Sequence, residues 1–133
     1  MGGILITRIL DSAPALVMAG IRKCILAPQS EYEYFRHYLA DKGYEIEDEA
    51  LISEDAKYYP ILVLANTRRP YSYKKKIFYR YGKILPERGD ITLRENILND
   101  LSVIGKILEN PKIPASRRKE LEEEKRDILW LID

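Results

Sequence analysis

Residues 22–66, RKCILAPQSEYEYFRHYLADKGYEIEDEALISEDAKYYPILVLAN, decide how the chain folds. Cys24-Ile25-Leu26-Ala27 is a short apolar run closed by Pro28, the pattern of a strand buried on both faces. Ser30 is placed to cap a following helix, Glu31 and Glu33 stand in its first turn where the macrodipole favours negative charge, and Gly43 lies just past its end. Tyr34, Phe35, Tyr38 and Leu39 recur at helical spacing, so one face of that helix needs cover. From Glu45 the period becomes two. Ile46, Ala50 and Ile52 fall on one side and charged residues mostly on the other, which predicts a strand near a sheet edge. Ser53-Glu54-Asp55-Ala56 turns the chain into Tyr58–Ala65, a nearly continuous apolar strand in which Pro60 requires a bulge or a strand end. Strand, helix and hairpin in this order form the closing half of many α/β domains.

Outward from that unit, the whole chain has 133 residues, about one domain. Its charge is high but balanced at net +1, which by itself neither favours nor excludes a nucleic-acid partner. A single cysteine rules out an intramolecular disulfide and suits a reducing compartment. No apolar run approaches the ~20 residues that span a bilayer. The expectation is a cytoplasmic protein with no membrane partner.

Upstream, Gly2-Gly3 followed by Ile4, Leu5, Ile6, Ile9 and Leu10 reads as a tight turn opening a helix that Pro14 closes; a flexible terminus is the alternative. Downstream, residues 66–83, NTRRPYSYKKKIFYRYGK, interleave Arg68, Arg69, Lys74, Lys75, Lys76, Arg80 and Lys83 with Tyr71, Tyr73, Phe78, Tyr79 and Tyr81. No acidic residue occurs between Asp55 and Glu87. Cations answer phosphates and aromatic rings stack on unpaired bases, so Arg68, Arg69, Tyr73, Lys74, Lys75, Lys76 and Arg80 are candidates for RNA contact. The competing reading is a turn at Arg69-Pro70-Tyr71-Ser72 beside a lysine-rich segment that keeps a sheet edge solvated.

Beyond Gly89 the pattern is helical. Leu98, Leu101, Ile104 and Leu108 mark one amphipathic helix from Asp90 to Glu109, and Leu121, Ile128, Leu129, Leu131 and Ile132 mark a second that Ser116 is placed to cap. Asn110-Pro111-Lys112-Ile113-Pro114 joins them, giving an αα-hairpin or short antiparallel coiled coil. Trp130 sits among its last apolar residues. His37, alone in mid-helix, reads as an ordinary surface histidine, and no residues stand at metal-ligand spacing.

Several segments together are similar to the bacterial tRNA (adenine-22-N1)-methyltransferases. Met1-Gly2-Gly3 with Ile4-Leu5-Ile6 resembles the end of that family's AGMGG-x-LI segment, and Ile25-Leu26-Ala27-Pro28-Gln29-Ser30 resembles its LILxPQ or LILQPN segment. Arg36, Leu39, Gly43-Tyr44, Glu49, Glu54-Asp55 and Lys57-Tyr58-Tyr59 follow in the family's order and spacing. The resemblance implies an α/β fold: residues 1–88 as the C-terminal half of a Rossmann-like S-adenosylmethionine-dependent methyltransferase domain, and residues 89–133 as a helical-hairpin, coiled-coil-like domain that grips tRNA. It implies S-adenosylmethionine as cofactor of the intact enzyme and methyl transfer to N1 of an adenine in tRNA. Gly2, Gly3, Pro28, Gln29 and Ser30 would then lie at the substrate and cofactor edge of the sheet. Alternatively, Pro28 only ends a strand and Ser30 only caps a helix.

The family's Gly-rich cofactor turn lies upstream of its AGMGG segment, with which Met1 coincides. The expectation is therefore a chain that lacks the cofactor-holding half, is inactive on its own, and is prone to self-association along an exposed strand edge. No catalytic side chain can be read. The other class is a non-catalytic module, either a basic-aromatic RNA binder or a coiled-coil interaction protein.

Overall fold

A computed structural model describes residues 2–3, 23–28 and 30–132. The helix expected from Ile4 to Leu10, and Met1 and Gln29, lie outside the described residues. Within them the chain forms β1 (Lys23–Leu26), α1 (Tyr32–Lys42), β2 (Tyr44–Glu54) and β3 (Lys57–Asn66). Two short helices follow, α2 (Ile77–Tyr81) and α3 (Ile84–Arg88), then two long ones, α4 (Ile91–Leu108) and α5 (Ala115–Ile132).

The sheet has the order β1-β3-β2, and both neighbours run antiparallel to β3. β1 and β2 therefore point the same way, joined through α1 as strands of like direction must be, with β3 inserted between them. Pro60 sits opposite Leu51, beyond the last β1 pair of Leu26 with Leu62. Only β2 flanks it there, and a missing N–H is tolerated at such a place. The β2–β3 turn is tighter than expected: Glu54 pairs with Lys57, leaving a two-residue loop in which Asp55 (φ 50°) and Ala56 (φ 61°) are both left-handed. That is the I′ geometry whose twist matches the strands.

One residue changes the meaning of β2. Ile46 stands opposite Leu64 and Asp48 opposite Val63, so Glu47 is an extra residue, a β-bulge. A shift of one residue reverses which side chains face inward. Tyr44 and Ile46 point in before the bulge; after it Glu49 and Leu51 do, while Ala50 and Ile52 are exposed. The expectation that Ile46, Ala50 and Ile52 share a face is thus corrected. So is the expectation that the first strand is covered on both faces, because Ile25 is 69% exposed.

Helix α1 lays Phe35 and Leu39 on Tyr44, Leu62 and Leu64. Arg36 and Ala40 are buried on it as well, and Tyr34 faces outward, so the covered stripe is rotated from the one the apolar residues suggest. Gly43 ends α1 in the left-handed conformation, as expected. Ser30 does not cap it: the N-cap is Glu31, itself left-handed, and the Ser30 hydroxyl hydrogen-bonds the Glu31 carboxylate instead.

A second core joins Ile77, Tyr81 and Leu85 to Leu93, Ile97 and Ile104 of α4 and Leu121 and Ile128 of α5, with Leu51 of β2 against it. The helical packing unit thus reaches upstream of residue 89. Asp90 caps α4, accepting from the Leu93 N–H at 2.8 Å. Ser116 lies inside the first turn of α5 rather than at its cap. Arg118 closes the hairpin by donating to the carbonyls of Leu108 (3.1 Å) and Asn110 (3.0 Å) at the end of α4. None of the described helices is long and apolar enough to cross a membrane.

Candidate functional site

The register of β3 assigns the predicted site residues to two ends of the sheet. Leu26, at the end of β1, pairs with Leu62, and Lys23, at its start, pairs with Ala65. Ser30 and the beginning of β3 therefore share one end, and Arg68 and Arg69, which follow β3, lie at the other. Ligands of open α/β sheets sit beyond the ends of strands that run like β1.

At that ligand end the structure brings Gly2-Gly3 against Ser30. The Gly3 N–H donates to the Ser30 carbonyl at 2.8 Å. A Cβ on Gly3 would stand 2.7 Å from the Glu31 carbonyl oxygen and 2.9 Å from that of Ser30, both backbone atoms. One on Gly2 would stand 2.6 Å from the Ser30 hydroxyl. Gly3 is thus required by close approach of backbone to backbone, whereas Gly2 meets only the side chains of Ser30 and Glu31. Pro28 is fully buried beneath the edge.

The basic-aromatic segment is divided by its packing. Thr67 and Tyr71 tie residues 67–71 to the C-terminal end of α1: the Thr67 N–H donates to Gly43 O at 3.1 Å, the Tyr71 N–H to Ala40 O at 3.0 Å and the Tyr71 hydroxyl to Tyr44 O at 2.7 Å. Tyr73 packs edge-on against Tyr71 and Tyr79, and Tyr79 stacks on His37 with centroids 3.6 Å apart. Phe78 meets the edge of Trp130, and the Lys75 ammonium lies 4.0 Å over the Trp130 ring. Burial pushes the phenols of Tyr71, Tyr73 and Tyr81 above their ordinary value, so they stay protonated and neutral near pH 7. Most of the rings are therefore occupied with one another.

The cations divide similarly. Arg68, Arg69, Lys74, Lys75 and Lys76 are exposed. Arg80 instead forms ion pairs with Asp100 at 3.4 Å and with Glu124, locking α2 to both long helices.

Sequence reasoning passed over a cleft of about 500 Å³ between the start of β3 and α4, at the ligand end. Its walls include Tyr32, Lys57, Tyr58, Tyr59, Asn96 and Asn99. The Lys57-Tyr58-Tyr59 run is legible as a motif; Asn96 and Asn99 carry no signal in the sequence. A second cleft of about 460 Å³ at the opposite end lies beside Arg69, Tyr71 and Tyr73. No group of three or more His, Cys, Asp or Glu that could hold a metal ion occurs among the described residues.

Known structures share this architecture across the whole chain. A protein in the NADB-Rossmann superfamily from Streptococcus agalactiae is 26% identical with a TM-score of 0.83. Streptococcus pneumoniae Sp1610, in complex with S-adenosyl-L-methionine, is 25% identical with a TM-score of 0.81. The B. subtilis M1A22 tRNA methyltransferase TrmK, at 24% identity and a TM-score of 0.78, shares the fold. All of this chain is covered in each case, but it spans only 57%, 57% and 60% of those three chains. No curated protein sequence matches.

The fold is thus Rossmann-like α/β, represented here by part of a sheet and a helical hairpin. The family model described as tRNA (adenine(22)-N(1))-methyltransferase, TrmK, matches residues 1–130, and the chain belongs to that family.

Proposed function

We propose that this chain is the substrate-side part of an enzyme that transfers a methyl group from S-adenosylmethionine to N1 of an adenine in tRNA. The observation that carries the reading is the family match across residues 1–130. The backbone junction of Gly3 with Ser30 supports it, because it shapes the sheet end proposed to receive cofactor and base. Bound there, the cofactor supplies an electrophilic methyl on a sulfonium. Adenine N1 carries a lone pair and no proton, so no general base is needed and the requirement is in-line placement of ring nitrogen and methyl group. N1 is engaged in pairing within a duplex, so the base must be unpaired or flipped out. Gln29 and Ser30 are proposed to face it, and the exposed Arg68, Arg69 and Lys74–Lys76 to meet tRNA phosphates. tRNA as substrate makes the cytoplasm the site of action.

Apart from Gly2-Gly3 the glycines of the sequence stand singly, at positions 20, 43, 82, 89 and 105. The cofactor is therefore proposed to need a complementary sheet half, and β1, an edge of the described sheet with Ile25 exposed, is the strand beside which that half or a second copy would pair. The test is deletion of the gene in its own organism, followed by primer extension on tRNA, which N1-methyladenine halts. Loss of the stop is expected, together with no methyl transfer by the purified 133-residue chain alone. A retained stop would overturn the enzyme reading; salt-sensitive tRNA binding by the chain would then favour the non-catalytic module, for which the five exposed cations speak.

A further inference from the structure

We propose that the cleft between the start of β3 and α4 is a binding site for an unpaired ribonucleotide, separate from the methyl-accepting base and next to it. The inference rests on the reading of the family substrate as tRNA, and it adds the residues that would hold a second base.

The location follows from the register. β3 extends past the end of β1, from Ile61 back to Lys57, so its first residues stand at the same end as Ser30. Tyr32, two residues after Ser30, donates its hydroxyl to the Tyr58 carbonyl at 3.0 Å and ties the start of α1 to the cleft wall. A nucleotide adjoining one held at Gly2-Gly3 and Ser30 would reach it directly.

The chemistry follows from which polar groups are already engaged. On the floor of the cleft the Tyr81 hydroxyl donates to Asp100 at 2.6 Å and Arg80 pairs with the same carboxylate, so those charges answer one another. Lys57 makes no ion pair, and Asn96 and Asn99 no side-chain hydrogen bond, with any described residue. Asn96 and Asn99 stand three apart on α4, on one helix face, and both line the cleft. Each amide offers donors and an acceptor, the combination that matches the edge of a base. Tyr58 stands on the sheet face that Leu51 and Pro60 turn toward α4, and its half-buried ring gives the cleft a stacking surface. Lys57 supplies one cation at the rim for a phosphate. One cation with two amides and a ring fits a single exposed base better than a duplex, whose recognition relies on rows of phosphate contacts.

The probe is a short single-stranded oligoribonucleotide, compared with the same strand annealed to its complement. In the isotope-labelled 133-residue protein, the side-chain amide signals of Asn96 and Asn99 are expected to move with the single strand and to stay still with the duplex. Replacing both residues, Asn96→Ala with Asn99→Ala, should weaken single-strand binding on the order of tenfold without changing its salt dependence. Lys57→Ala should lower the salt slope by about one. Because neither amide is bonded to any described residue, the double variant should melt like the parent. Unmoved amide signals, an equal response to the duplex, or unchanged affinity of the double variant would each overturn the site. If deletion of the gene abolishes tRNA methylation while these signals stay still, the site fails and the enzyme reading stands. If the signals move and methylation persists, the enzyme reading fails and the site stands.

Discussion

Arg36 of α1 and Glu49 of β2 form a two-pronged ion pair with side chains only 3% and 1% exposed. The bulge at Glu47 turns Glu49 inward to meet it, and Gly82 (φ +76°) lies against it so closely that a Cβ would stand 2.7 Å from the Glu49 carboxylate. The pair joins the sheet layer to the segment leading into the helices. Removing one partner strands a buried charge. Glu49→Ala is expected to cost about 3–5 kcal/mol in urea unfolding, whereas Arg36→Met with Glu49→Leu should recover most of that loss. If the double variant is no more stable than the single one, the pair is held by more than charge compensation.

Ala56 is left-handed in the β2–β3 turn, where glycine is the favoured residue. Ala56→Gly should raise thermal stability by about 1 kcal/mol, since the left-handed conformation costs an ordinary residue roughly that much. An unchanged or lower melting temperature would mean that the turn is not I′ in solution.

Lys74, Lys75 and Lys76 are exposed, while Arg80 is ion-paired. Changing the three lysines to alanine is predicted to weaken tRNA binding at low salt and to reduce the salt slope by about two to three, with little change in melting. Arg80→Ala should do the reverse, lowering stability and leaving the slope nearly unchanged. Equal slopes for parent and triple variant would remove the lysines from the interface.

Burial raises the phenol pKa values of Tyr71, Tyr73 and Tyr81 above their unfolded value of 10.0. A raised folded pKa contributes stability that is complete below pH 10 and lost as pH rises through the folded value, because the unfolded chain then releases protons that the native one retains. Unfolding at high pH should therefore coincide with phenolate absorbance. Tyrosines that titrate freely before the fold is lost would contradict their burial.

Much of this architecture can be read from residue patterns. The helix ending at Gly43, the hairpin and the two long helices follow from caps and periodicity. The interior of β2 does not, because one extra residue in the strand reverses the faces of everything after it, and no propensity marks Glu47 for that role. Arg80 likewise has the composition of an RNA contact, and only the fold reveals Asp100 and Glu124 beside it. Asn96 and Asn99 acquire significance only when the start of β3, far away in the chain, lines a cleft with them.

The opposed ends of β3 carry a geometric consequence. Its ten residues, at about 3.3 Å each, separate Lys57 from Asn66 by roughly 30 Å. A ligand touching both Arg68–Arg69 and the cleft at Lys57 would have to stretch along that distance. The central strand then acts as a spacer: a short ligand reaches one end only, and a contact at both ends demands a ligand as long as the strand itself.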